Sequence, residues 1–101
     1  MSEQTIRHTY VVSYDISHPR RWRKVYRLML GYGEWTQYSV FRCDLTPREV
    51  LELRGKIGTM IHHNEDQVLF VDVGPADGRA VAAFRAIGRP YAASVRQAII
   101  V

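Results

Sequence analysis

The sequence has one cysteine, Cys43, so no disulfide can close within the chain. A reducing cytoplasm suits that composition. No stretch approaches the roughly 20 apolar residues that a membrane-spanning helix needs, and the opening MSEQTIRHTY has no apolar centre of the kind a secretory signal carries. These features predict a cytoplasmic protein with no membrane partner. Internal repeats and low-complexity segments are missing, as are a glycine-rich phosphate loop, a nucleophile elbow and an HExxH pair. The aromatic signature of RNA-recognition modules is missing too, because SVFRCDL lacks its Lys/Arg-Gly-Phe/Tyr opening. No motif surrounds Cys43, which reads as a buried strand residue rather than a nucleophile.

What is present fits one domain of 101 residues. A chain of this size buries roughly 60–70% of its unfolded surface, so its core is modest. The formal net charge of +4 is compatible with a polyanionic partner, and its distribution says more. Arg20, Arg21, Arg23, Lys24 and Arg27 are five of the 14 Lys and Arg residues, gathered within one short segment.

Residues 8–16 alternate as a strand. Tyr10, Val12, Tyr14 and Ile16 share one face, and Val11, Ser13 and Asp15 the other. Both faces are apolar until Ser13 and Asp15, which predicts a central strand covered on both sides. Ser17 or His18 can cap the helix that follows, with Pro19 in its first turn. Val25, Leu28, Met29 and Tyr32 form its apolar stripe. Arg20, Arg23, Lys24 and Arg27 repeat that spacing, rotated to a flank. Gly31 and Gly33 end the helix.

Residues 34–45 read as two short strands with a sharp bend near Tyr38–Ser39, although no Gly or Pro marks it. Thr46, Pro47 and Glu49 then spell a capping box. Val50, Leu53, Ile57, Met60 and Ile61 continue as an apolar stripe toward an end near His62–Asn64. Residues 67–73 form a buried strand that Gly74–Pro75 stops. Residues 80–87 suit a strand or a short helix. The apolar last residues, AIIV, predict pairing with a sheet edge, which a second subunit can supply. The expected fold is α+β: a ferredoxin-like βαββαβ sandwich with an extra C-terminal strand, forming a homodimer. One domain covers residues 1–101, with a core over about 8–74. Residues 75–101 supply the extra strand and a tail crossing to the partner.

Asp15 is the residue best placed for chemistry. It lies at the end of a central strand, immediately before the helix with the basic flank. Mg²⁺ or Mn²⁺ often takes one or two protein carboxylates, completed by water and phosphate oxygens. Such an ion activates water and neutralises charge on a phosphodiester. Capping of the next turn is the competing role for Asp15. A second carboxylate is open among three sources: Asp44, near the level of Asp15 because the third strand is expected to run parallel to the first; Asp66, at the near end of an antiparallel fourth strand, whose Asp72 lies at the far end; or Asp15 of a second subunit. His62 and His63, near Glu65 and Asp66, suit a polar helix end better than a metal cluster. Trp22 and Trp35 suit packing better than stacking on bases.

Tyr14-Asp15-Ile16, the basic helix ending at Tyr32-Gly33, Gln37-Tyr38-Ser39-Val40-Phe41 and Leu45-Thr46-Pro47 follow one another in order. Together they resemble the small subunit of the CRISPR spacer-integration complex, the second CRISPR-associated protein, also described as a CRISPR-associated endoribonuclease family. The resemblance runs from about residue 8 to residue 73, and the tail looks like a subgroup of that family. It implies a prokaryotic, cytoplasmic homodimer that binds double-stranded DNA and bridges dimers of the integrase subunit. It also implies a Mg²⁺- or Mn²⁺-dependent endonuclease on RNA, including single-stranded RNA, or on DNA. The family's metal aspartate falls on Asp15, and its supporting Tyr and Phe fall on Tyr14 and Phe41. Arg20, Arg21, Arg23, Lys24 and Arg27 would hold nucleic acid. Three departures weigh against hydrolysis: His18 and Pro19 replace common acidic residues, Trp22 and Trp35 replace arginines, and Arg42 replaces a glutamate. A toxin-like metal-dependent ribonuclease unconnected with integration is the alternative.

Overall fold

Alternating burial along the first strand sets the architecture. Val12 and Tyr14 of β1 (His8–Asp15) point into the core, and Asp15 emerges at its end. In the computed structural model, which describes residues 6–91, β1 is followed by α1 (Pro19–Leu30), β2 (Glu34–Gln37), β3 (Val40–Leu45), α2 (Pro47–Met60) and β4 (Gln67–Pro75). These strands form an antiparallel sheet in the order β2-β3-β1-β4, and β1 lies between β3 and β4 as expected.

The helices begin where the sequence places them. His18 caps α1, its ring nitrogen accepting the Arg20 N–H at 3.1 Å, and Pro19 needs no partner for the amide hydrogen it lacks. Thr46 and Glu49 exchange both bonds of the capping box on α2. α2 stops at Met60, two residues short of the expected His62–Asn64, because His62 and Asn64 are drawn into the turn toward β4. Val25 and Met29 from α1 and Leu53 and Ile57 from α2 pack on Val12, Tyr14, Phe41, Cys43 and Leu45 of the sheet. Each fully buried aliphatic or aromatic side chain contributes about 1.5–3 kcal/mol through removal from water. Cys43 is a core residue, and burial pushes its thiol up to about 12, so it is no nucleophile.

The bend between β2 and β3 is a two-residue turn, Tyr38–Ser39, with Gln37 opposite Val40. Tyr38 adopts a φ of 41°, in the left-handed region that costs a non-glycine residue about 1–2 kcal/mol. Four hydrogen bonds over-determine the turn. Trp35 Nε1–H donates to the Tyr38 carbonyl at 2.7 Å, and the Thr36 hydroxyl donates to the Val40 carbonyl at 2.8 Å. Ser39 accepts Trp22 Nε1–H on its hydroxyl and the Tyr14 N–H on its carbonyl. Gly33, at the entry to β2, is required by space: a Cβ there would lie 2.4 Å from the Arg42 carbonyl oxygen and 2.5 Å from Cys43 Sγ.

The direction of β3 corrects one expectation. Crossover through α1 sets β2 parallel to β1, and the tight hairpin reverses β3, which fits between them antiparallel to β1. Asp44 therefore sits opposite Thr9, not beside Asp15. β4 also continues through Gly74 and Pro75. Gly74 has φ 117° at a bulge opposite Thr9 and Tyr10, and Pro75 is tolerated because β4 is an edge strand. Residues 79–82 form a short 3₁₀ turn, and no strand forms over 80–87. The apolar end AIIV and the strand expected there lie outside the described residues.

Among the described residues, α1 and α2 both lie on one face of the sheet. On the opposite face Leu69 and Val71 of β4 are 51% and 52% exposed, so β1 is not enclosed on both sides by the described residues. Part of this open face is covered by the segment after β4. Phe84 stacks on Tyr91 and lies under the Arg42 guanidinium, 5.2 Å from the ring centre.

Candidate nucleic-acid interface and metal position

The C-terminal end of β1 stands on an aromatic platform. Tyr14 stacks on Phe41 at 6.2 Å and meets Trp22 at 6.1 Å; Trp22 stacks on Tyr26 at 5.3 Å. These contacts, with the Trp22–Ser39 bond, place Trp22 in packing rather than on a surface open to bases. Trp35 is more exposed, but its ring is tied to the turn. Burial pushes the Tyr14 hydroxyl up to about 12, with the nearby Tyr26 adding to the shift. Tyr14 and Phe41 thus support the strand end from within and carry no charge.

Asp15 emerges from this platform into solvent, opposite Gln67 of β4. Among the described residues its carboxylate has no hydrogen-bond or ion-pair partner. It does not cap α1; His18 does. Asp66 is nearby in the topology, one residue before Gln67, but its carboxylate is engaged. Arg21 Nε donates to it at 2.8 Å, as do the main-chain N–H groups of Ser17 and His62 at 3.1 and 2.8 Å. Its acid is held well below the usual carboxylate range, chiefly by the Arg21 hydrogen bond, against the opposing effect of burial.

The remaining acidic candidates are at the other end of the sheet. Asp44 accepts the Thr9 hydroxyl at 2.6 Å and lies 3.7 Å from Arg42. Asp72 pairs with His8 at 2.9 Å and caps the Gly74 N–H, and the His8 bond leads in lowering its pKa. His62 and His63 are turn residues: a His62 ring nitrogen accepts the Asn64 N–H, and a His63 ring nitrogen lies 2.8 Å from the Gly58 carbonyl. Among the described residues no group of three or more His, Cys, Asp or Glu side chains is disposed to hold a metal. Asp15 is the remaining candidate of the set, a single carboxylate per chain, and a hard divalent cation held there would need water and phosphate oxygens for its other positions.

The basic flank divides in two. Arg20, Arg23, Lys24 and Arg27 are exposed along α1 and make no ion pair among the described residues. Arg21 is turned toward the turn before β4, where it pairs with Asp66 and, at 3.2 Å, with Glu65. Sequence spacing groups Arg21 with the other cations. Its link to Asp66 joins residues far apart in the chain, and only the meeting of the two turns reveals it.

A ferredoxin-like sheet with Asp15 at the end of its central strand and, among the described residues, four unpaired cations on the next helix defines a small α+β domain. The family model described as CRISPR associated protein Cas2 matches residues 8–80, and the chain belongs to that family. It is 40% identical over 94 residues to the CRISPR-associated endoribonuclease Cas2 of Geobacter sulfurreducens, an alignment covering 93% of this chain and 98% of the relative. It is 39% identical over 94 residues to a CRISPR-associated endoribonuclease Cas2 of Rhodospirillum rubrum, covering 93% and 91%. The fold is similar to that of the crystal structure of Streptococcus pyogenes Cas2, with a TM-score of 0.70, 27% identity and coverage of 79% of this chain and 99% of that one. It is similar also to a hypothetical protein from Thermus thermophilus, with a TM-score of 0.73, 27% identity and coverage of 83% and 94%.

Proposed function

We propose that the chain forms a homodimer that binds double-stranded DNA along α1 and bridges integrase dimers during spacer acquisition. The observation that carries the DNA-binding part is the row Arg20, Arg23, Lys24 and Arg27: exposed, on one flank of one helix, and unpaired among the described residues. Such a row suits phosphate oxygens, and each phosphate contact steepens the salt dependence of binding. The open sheet face with Leu69 and Val71 supports the dimer, since two copies can cover it. The integrase partner rests on the family alone.

The test is a charge reversal. Arg20→Glu, Arg23→Glu and Arg27→Glu together should lower affinity for a DNA duplex by about a hundredfold or more and flatten its salt dependence. The triple variant should also fail to support spacer acquisition. Unchanged affinity overturns the reading. Leu69→Glu with Val71→Glu should convert the dimer to a monomer in light scattering; a persisting dimer would move the interface elsewhere.

A second reading is favoured by the unpartnered Asp15 carboxylate: Mg²⁺- or Mn²⁺-dependent cleavage of RNA or DNA. The cation would supply an activated water and offset phosphodiester charge. This chain's own parts are Asp15 as ligand, Tyr14 and Phe41 as the rigid base beneath it, and the α1 cations as the hold on the strand. Wild-type protein should cut and Asp15→Asn should not, with duplex affinity retained. Equal cleavage by the two would indicate a contaminant.

A further inference from the structure

Asp66 stands immediately before β4 with its side chain fully enclosed, 0% exposed. Both of its oxygens face donors. One accepts the Ser17 main-chain N–H at 3.1 Å, the Ser17 hydroxyl at 3.3 Å and Arg21 Nη2 at 3.3 Å. The other accepts Arg21 Nε and the His62 main-chain N–H, both at 2.8 Å. Arg21 also donates to the Ser17 hydroxyl at 3.1 Å. The register explains why this matters. Asp15 opposite Gln67 is the last pair of the β1–β4 ladder. Ser17 lies just beyond one member of that pair and Asp66 just before the other. The Ser17–Asp66 bond thus extends the ladder past its end, with a side chain in place of main chain. The Asp15 carboxylate has no partner among the described residues, so the backbone beneath it sets its direction.

We propose that Asp66 is the positioning residue of the Asp15 strand end. By gathering Ser17, Arg21 and His62 onto one carboxylate, it fixes the path of the chain as it leaves β1. It thereby fixes where Asp15 presents its oxygens to a divalent cation, and in that respect it rests on the reading of Asp15 as a cation ligand. An amide cannot replace it, because Asn offers one acceptor oxygen and turns an NH₂ group toward donors. Arg21 accordingly serves this clamp rather than the DNA-facing row.

The probe is Mn²⁺, titrated into the full chain and followed by the electron paramagnetic resonance of the free ion, at a temperature where every variant is folded by circular dichroism. Asp15→Asn should abolish binding. Asp66→Asn should weaken it about tenfold or more, the effect typical of residues that orient a metal ligand. Thr46→Ala, a comparable disruption at the opposite end of the sheet, should leave it unchanged. Wild-type affinity in Asp66→Asn, with binding lost in Asp15→Asn, overturns the proposal. If Asp66→Asn does not fold, Arg21→Gln takes its place: it should weaken Mn²⁺ binding in the same direction, and unchanged affinity overturns the proposal. If wild type and Asp15→Asn bind Mn²⁺ equally, the cation reading of Asp15 fails by itself, and amide exchange decides the positioning role. Faster exchange must then spread from Ser17 to Tyr14 while Val11 and Val12 stay unchanged; an effect confined to Ser17 overturns the proposal.

Discussion

At the end of the sheet where β1 begins, three carboxylates have partners: Asp44 has Thr9 and Arg42, Asp72 has His8 and the Gly74 N–H, and Glu49 has Arg7 at 2.5 Å and the Thr46 cap. At the end where β1 stops, five donor contacts converge on Asp66 and, among the described residues, none reaches Asp15. Both ends are acidic and polar. Among the described residues Asp77, in the exposed turn after β4, also lacks a partner, but Asp15 is the unpaired carboxylate that stands on the central strand, just before the helix with the basic flank. A charged group with no internal partner gains nothing from folding, so its value must be sought in what it binds. The contrast also explains why exposure alone misleads. Asp72 and Asp15 are both exposed, and only their hydrogen bonds separate them.

The largest effect should come from the base of the free end. Phe41 is fully buried against Tyr14 and Tyr26, and Phe41→Ala should cost about 3–5 kcal/mol in urea unfolding, the range for deleting a buried ring. A loss below about 1 kcal/mol would show that the platform is not rigid. Next in size is the acid limb of stability. Asp66 has a depressed folded pKa, so its contribution is complete above the ordinary carboxylate value and is lost as pH falls toward the lowered one. Wild type should therefore lose stability faster than Asp66→Asn below about pH 4, and the gap between them should narrow. Parallel curves would mean that the carboxylate is not charged in the clamp. Asp72 also has a lowered pKa and acts in the same direction, but it is half exposed and solvent weakens its pairing.

Much of this is legible in the residues, and the rest fails for a common reason. The capping box at Thr46–Glu49, the cap and proline opening α1, and the bend at Tyr38–Ser39 depend on neighbours within a few positions. All appear where local pattern places them. The central position of β1 follows from its doubly apolar pattern, although the helix-free face is less covered than that pattern suggests. The direction of β3 was open to error because alternation carries no sign. A strand reads the same whether it runs up or down, and only the hairpin decides. Asp15 was legible as a position. Its lack of a partner was not, because that depends on where Arg21, Asp66 and Ser17 meet. The same holds for Arg21, whose spacing matches the DNA-facing row and whose partner is 45 positions away.

Smaller effects test the contrast more sharply. Thr46→Ala removes a side-chain cap at the paired end and should cost about 1 kcal/mol in chemical denaturation. Asp15→Asn at the free end should change stability by less than about 0.5 kcal/mol, as for an exposed residue with no partner. A cost as large as that of Thr46→Ala would mean that Asp15 has a structural partner, and the contrast between the ends would collapse. Divalent cation then separates the two variants in the opposite sense. A ligand that binds only the folded chain stabilises it by mass action. Mn²⁺ should therefore raise the melting temperature of wild type and of Thr46→Ala alike, and leave Asp15→Asn where it was. The substitution that matters least to the apo fold would then be the one that removes its response to the metal.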